Sequence, residues 1–435
     1  MINPNHFRTH RQKFIEAMGA GVAFIPTAPE KVRNCDSHYP YRYDSYFYYL
    51  SGFQEPEAVL VLIAGETPRS VLFCREKDFE REIWDGFRYG PENAKTEFRF
   101  DEAYPISQLD EQMPKLLADQ HRLFYTLGSS PEWDARITGW INHLKSQARS
   151  GIHAPAEIVD LHSRIDDLRL IKKEHEIDAM RRAAIISAAA HRRAMRVASP
   201  GTMEYQLEAE LLHEFYRNGS RAPAYTSIVA GGANACILHY IENNAQLRDG
   251  DLVLIDAGCE LDGYASDITR TFPVNGTFTS AQRDLYELVL AAQAAAIEKA
   301  HPGSSWNAPH EAALDVLVQG FIDFGMCKGT PASVLESGDY RRFYMHRTGH
   351  WLGLDVHDAG EYKQHDGSWR LLEPGMVLTV EPGCYVRPAD DIPEHFWNIG
   401  IRIEDDVLIT FQGCDILTSD APKSVVDIET LMASA

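Results

Sequence analysis

The stretch Leu247–Gly258, LRDGDLVLIDAG, is an apolar run with the shape of a buried strand, yet it carries an aspartate, Asp256, near its end. Burying an ionised carboxylate costs several kcal/mol or more unless it is paired or bound to a metal, so Asp256 demands a partner. Further along, Leu372–Gly383 reads LEPGMVLTVEPG and repeats the design with Glu381 in the aspartate's place. Aligned without gaps, the two stretches share Leu247/Leu372, Gly250/Gly375, Gly258/Gly383 and the acid, with Val253 and Val377 within one position. Turn glycines and apolar strands can look alike by chance. Two copies of one unit would instead predict a pseudo-symmetric sheet with two carboxylates facing one point.

Each repeated acid is followed by another on a second strand-like run, Asp267 in GYASDITRTF and Glu404 in IGIRIEDD. Arg270 and Arg402 are candidate salt-bridge partners, and a single such bridge is the commoner fate of one buried acid. Four acids in two symmetric pairs are poorly explained by two arginines, whereas two divalent cations would neutralise them. Between the repeats lies HRTGHWLGLDVHD, with His346, His350 and His357. His346 and His350 have the spacing of an HExxH zinc helix, but the glutamate is absent and a glycine interrupts the turn, which excludes that motif. Three histidines between two candidate ligand strands still point to at least one ligand. Four carboxylates and an imidazole form an oxygen-rich set that suits Mn(II) or Co(II) better than a thiolate-rich zinc site would. Two metals roughly 3.5 Å apart can share a hydroxide and clamp a substrate carbonyl, the chemistry of amide or ester hydrolysis.

At 435 residues the chain is longer than one compact core usually serves, so two domains are expected. A formal net charge of -21 argues against a nucleic-acid or anionic-membrane surface, which needs clustered Lys and Arg. The one basic cluster, His191-Arg192-Arg193 with Arg196, reads as a solvated helix face. None of the seven cysteines sits in a CxxC pair, and Cys259 and Cys384 read as reduced, buried small residues. The start, MINPNHFRTHRQKF, lacks a signal peptide's apolar core, and no run approaches the roughly 18 apolar residues that span a membrane. The expectation is a soluble cytoplasmic protein.

Residues 1–170 alternate strand-like runs (EAVLVLIAG, RSVLFC) with helical ones (SQLDEQMPKLLADQ, EWDARITGWINHLKSQA), the pattern of an α/β domain. A long amphipathic helix, with Ile177, Met180, Ala184 and Ala188 on one face, is predicted from about Lys173 to about Val197, stopped by Pro200-Gly201. Residues 171–435 then mix helices, near 280–300 and 309–325, with strands that include IRIEDDVLIT.

The order Asp256, Asp267, His350, Glu381, Glu404, set in LIDAG, SDITRTF, HWLGLDVHD, VEPG and IRIED, resembles the dinuclear metallopeptidases of pita-bread fold, and among these the aminopeptidase P (Xaa-Pro aminopeptidase) group. DSHYPYRYDSYFYYLSGFQEPEAVLVLI resembles the first domain of that group, so the likeness covers nearly the whole chain. It implies an α/β N-terminal domain, 1–170, followed by an α+β pita-bread catalytic domain, 171–435, with a pseudo-two-fold repeat. It implies two divalent metal ions, Mn(II) first with Co(II) or Zn(II) as alternatives. Asp256 would chelate one metal, Asp267 and Glu404 would bridge both, His350 would complete one shell and Glu381 the other.

The same resemblance implies that His357 contacts the substrate near the scissile bond and that His239, in ILHYIEN, stabilises the carbonyl oxygen or tetrahedral intermediate. Arg402 would orient Glu404 or line the pocket for a penultimate proline alongside Tyr225, which reads equally well as core. Trp84, in EIWDGFRYG, matches a lid tryptophan supplied by a neighbouring subunit, with plain interface packing as the alternative. Arg347 stands where many relatives have Gly, which leaves the role of His346 open. The implied activity is release of the first residue from peptides with proline second, by a hydroxide bridging the metals with Glu381 as proton shuttle, in a homo-oligomer, tetramer or dimer. The rival readings are a prolidase restricted to Xaa-Pro dipeptides and a catalytically dead peptide-binding module.

Overall fold

The computed structural model describes residues 3–434, and the chain divides into two compact units, Met1–Arg169 and Leu170–Ala435. The first unit is built on a six-stranded mixed sheet, in the order Glu102–Pro105, Arg69–Cys74, Val59–Ala64, Gly21–Pro26, Arg122–Phe124, Glu157–Val159. Val59–Ala64 pairs antiparallel with both neighbours, while the outer pairs are parallel. Its alternate residues Val59, Val61 and Ile63 pack into one core with Leu109 and Met113 from one helix and Ile137, Trp140 and Ile141 from another.

The second unit opens with the helix Glu174–Val197, which buries Met180, Ala184 and Ala188 and leaves Ile177 half-buried. The helices Ser280–Lys299 and Ala308–Asp323 follow the expected runs, the first started by a Thr279/Gln282 capping box. The basic cluster is not a solvated face throughout. His191 is fully buried and its Nε2 donates to the Ala257 carbonyl at 2.9 Å, while Arg192 and Arg196 stay exposed. Cys259 and Cys384 are buried free thiols.

The repeat is structural. In its first half Leu252–Asp256 pairs antiparallel with Thr269–Pro273, and Cys259–Leu261 with Tyr264–Ala265. In its second half Val377–Val380 pairs with Asp405–Thr410, and Gly383–Val386 with Ile399–Arg402, in the same topology. Each half leaves one sheet just after its first acid and returns to it at its second. IRIEDDVLIT is therefore not one strand, as its apolar pattern suggested. It breaks at Ile403-Glu404, where the Glu404 N–H turns to the Thr269 carbonyl at 3.1 Å.

The crossover needs close backbone approach, which explains the repeated glycines. A Cβ at Gly258 would lie 1.7 Å from the Ser266 carbonyl oxygen, and one at Gly383 would lie 2.8 Å from that of Ile401. Any side chain there would push the two acids of a half apart.

Two measurements check the packing. Burial pushes the His191 imidazole down to about 4, below the ~6.5 of an unfolded histidine. The unfolded chain then binds more protons between those values, so stability is full above pH ~6.5 and falls by about 3 kcal/mol as pH drops towards 4. Urea unfolding of His191→Gln against the parent at pH 7 and pH 4.5 should show a smaller acid loss in the variant; equal losses would contradict the assignment.

The second measurement concerns Lys172, whose Nζ meets Asp358 Oδ2 at 2.8 Å with both side chains 1% exposed. Lys172→Met removes the buried cation facing the Asp358 carboxylate and should lower stability by about 3–5 kcal/mol, and adding Asp358→Asn should recover much of it in thermal melts.

Candidate active site

Every candidate residue of the second unit lines one cavity of about 1200 Å³. The two halves of the repeat deliver its acids. Asp256 closes the strand Leu252–Asp256, and Glu381 directly follows Val377–Val380. Asp267 and Glu404 sit in the breaks where each half returns to its first sheet. His350 arrives on the loop between the halves, its N–H held by the Thr379 hydroxyl at 3.1 Å and its Nδ1 by the Trp351 carbonyl at 2.9 Å. That carbonyl only accepts, so Nδ1 carries the proton and Nε2 faces the acids, 3.4 Å from Asp267 and 3.8 Å from Glu381. Ligand atoms of Asp267, His350 and Glu404 all lie within 4.8 Å of one another.

The charges do not balance among the side chains. Burial, against which Arg402 works, raises the Asp256 carboxyl. Burial together with Asp267, Glu381 and Asp256 holds Glu404 well above the usual carboxylate range. Glu381 is pushed up to about 7 by burial, with Asp267 and Asp256 adding to it and His350 and Arg402 opposing. For Asp267 burial is outweighed by His350, Tyr225 and Arg402, and it is lowered. His350, despite its burial, is lifted to about 9 by Asp267 and Glu381. Four carboxylates, Asp267 and Glu404 buried and Asp256 and Glu381 partly so, thus repel one another around a space that one guanidinium and one imidazole do not neutralise. This donor set fits hard divalent cations, which supply the missing positive charge.

Arg402 lines the cavity, and its direct carboxylate partner is Asp256. Its guanidinium bonds directly to Asp256 Oδ2 at 2.5 Å and reaches Glu404 only through Thr269, whose hydroxyl accepts from Arg402 at 3.0 Å and donates to Glu404 at 2.6 Å. Arg270, the other expected partner, is committed to Asp405 at 2.7 Å, where Lys423 joins it. Tyr225 is neither core nor confined to a proline pocket: its hydroxyl lies 2.6 Å from Asp256 Oδ1 and also bonds Asp267. The open question of His346 resolves through Tyr385. Arg402 donates to the Tyr385 oxygen at 3.0 Å, so the Tyr385 proton points at His346 Nε2, 2.9 Å away, and Nδ1 donates to the Arg347 carbonyl. Burial and Arg402 push His346 down to about 3 and keep it neutral.

His357 stacks edge-on to His350 with ring centroids 4.3 Å apart, and burial and the neighbouring His350 lower its pKa. His239 follows the short turn Gly232–Cys236 onto the cavity wall. Trp84 lies in the first unit on the helix Phe79–Asp85 and is 85% exposed. Sequence reasoning missed Thr269, Tyr385 and Asp406. The Asp406 carboxylate accepts from the Asp267 N–H at 3.1 Å and the Ser266 hydroxyl at 2.9 Å, locking the first-half break to the second half. The excess of acid in IEDD was the available signal for Asp406; nothing in the sequence marked the other two.

Residues 178–411 match the model of metallopeptidase family M24, and residues 7–125 match that of the aminopeptidase P N-terminal domain. The chain is 45% identical to the Xaa-Pro aminopeptidase of Escherichia coli strain K12, over 100% of this chain and 99% of that one. Its fold superposes on aminopeptidase PepP of Pseudomonas aeruginosa with a TM-score of 0.97 at 49% identity, covering 100% and 98% of the two chains. A zinc-substituted Escherichia coli aminopeptidase P in complex with product gives the same TM-score at 45% identity, covering 100% and 99%. Matched from end to end in sequence and fold, this chain belongs to metallopeptidase family M24, among the aminopeptidases P.

Proposed function

We propose that the protein is an Xaa-Pro aminopeptidase, removing the first residue of peptides whose second residue is proline. The observation that carries this reading is the convergence of Asp256, Asp267, His350, Glu381 and Glu404 in one cavity of a chain that aligns end to end with such an enzyme. These five side chains would hold two divalent cations, Mn(II) by preference for an oxygen-rich set, with Co(II) or Zn(II) able to substitute. Cations held there would supply Lewis-acid chemistry, lowering the pKa of water and polarising the scissile carbonyl.

The chain's own groups do the rest. Tyr225 and Arg402 hold Asp256, and Thr269 carries the restraint on to Glu404, so the carboxylates keep their positions. His239 and His357 line the same cavity, and from there they would stabilise the carbonyl oxygen. Glu381 accepts the proton of the attacking water and passes it to the proline nitrogen as the C–N bond breaks, releasing a free amino acid and a peptide beginning with proline. Proline's tertiary amide has no N–H, so recognition rests on ring shape and on protonation of the leaving nitrogen. The free α-amine of the first residue settles among the carboxylates, which makes the cleavage exo-acting.

Phe79, Ile83, Trp84 and Phe87 form an exposed apolar group, between 63% and 85% accessible, of the kind another copy covers. We read the protein as a homo-oligomer, dimer or tetramer, working in the cytoplasm, where its seven free cysteines stay reduced. No helix of the described residues is long and apolar enough to cross a membrane.

Chelation should abolish hydrolysis and add-back of Mn(II), Co(II) or Zn(II) should restore it. Asp256→Ala should cut activity more than ~100-fold and lower the metal content measured by elemental analysis. Full activity in that variant would refute the dinuclear reading. An Xaa-Pro-Xaa tripeptide should be cleaved with a kcat/KM at least ~10-fold above that of the Xaa-Pro dipeptide; the reverse order would make the protein a prolidase.

A further inference from the structure

The cavity wall carries five carboxylates, Asp256, Asp267, Asp355, Glu381 and Glu404, and two guanidiniums, Arg402 and Arg347. Arg402 is buried and used up by Asp256, Thr269 and Tyr385. Arg347 is its opposite. It is exposed, donates to the Asn307 side-chain oxygen, and makes no ion pair with any described residue. Its Cζ lies 5.1 Å from the ring centroid of Trp369, another residue of the cavity wall. On the same indole sits a second cation, Lys363, with Nζ 4.4 Å from the centroid, and Lys363 has no ion pair among the described residues either.

Two like charges drawn to one half-buried ring repel each other, and a cation–π contact to an exposed cation gives each only about 0.5–1 kcal/mol. An anion beside them relieves that repulsion. Asn307 and Trp369 fix the plane of the Arg347 guanidinium while leaving further N–H groups unused, which is a preformed fork for a carboxylate. An acidic chain of net charge -21 has a surplus of carboxylates with which to neutralise this arginine, and none is placed to do so.

We propose that Arg347, with Lys363 across Trp369, is a specificity-determining subsite that binds a carboxylate of the peptide downstream of the scissile bond. The proposal rests on the aminopeptidase reading, in which the α-amine sits among the acids and the rest of the peptide runs along the cavity wall. That carboxylate is either the C-terminus of a short peptide or an acidic side chain of a longer one.

The test compares the parent, Arg347→Met and Arg347→Lys on an Xaa-Pro-Xaa tripeptide with a free C-terminus and on its amide. A second pair consists of longer amidated peptides with Glu or Gln after the proline. The parent should favour the charged member of at least one pair by roughly tenfold in kcat/KM, Arg347→Met should bring that ratio close to one, and Arg347→Lys should keep part of it. The preference should shrink at high salt. Loss of discrimination in the acid/amide pair identifies the C-terminus as the ligand, and loss in the Glu/Gln pair identifies the side chain. Ratios unchanged between the parent and Arg347→Met overturn the subsite while leaving the aminopeptidase intact. A metal-loaded parent that cleaves none of these peptides overturns both.

Discussion

Repulsion among buried carboxylates is the constraint around which the catalytic unit is arranged. Asp256, Asp267, Glu381 and Glu404 come within reach of one another in a space where water screens them poorly, and Arg402 answers directly only one of them. Protons or cations must offset that repulsion, and the surrounding structure must hold the acids in place meanwhile. Hence the dense polar scaffold behind them: Tyr225 between the first-half acids, Thr269 between Arg402 and Glu404, and Asp406 clamping the backbone of Asp267. A binding surface for protein partners would have no use for so costly a cluster.

The two-fold repeat is the economical way to build that scaffold. One unit of strand, acid, glycine, hairpin, acid and strand, used twice, brings two pairs of carboxylates to one place with opposite approach. The glycines let the chain cross over itself closely enough for the pairs to meet. The connecting loop then adds the groups that the repeat lacks: His350 and His357 near the acids, and Arg347 on the same cavity wall. His346, adjacent to that arginine, belongs instead to the relay through Tyr385 to Arg402.

Much of this was legible because charge in an apolar strand is conspicuous. Asp256 and Glu381 interrupt buried runs, their spacing repeats, and the intervening histidines mark a loop with ligand chemistry. The amphipathic period of Glu174–Val197 was equally plain. The same apolar pattern misled at IRIEDDVLIT, because alternation records burial and does not record a change of sheet. It misled at His191 too, where a basic tripeptide looked solvated although the helix turns that one residue inward beneath Ala257.

The sequence by itself determined which groups are charged, which segments must be buried, and that two like units had to converge, since local pattern and composition decide those matters. Only the tertiary structure decided partnership. Whether Arg270 or Arg402 meets Asp256, whether Tyr225 serves core or carboxylate, and whether Arg347 is neutralised or left open all depend on contacts between residues far apart in the chain. Those pairings are set when two sheets and a loop close on one cavity, and no local pattern encodes the distances that choose among them.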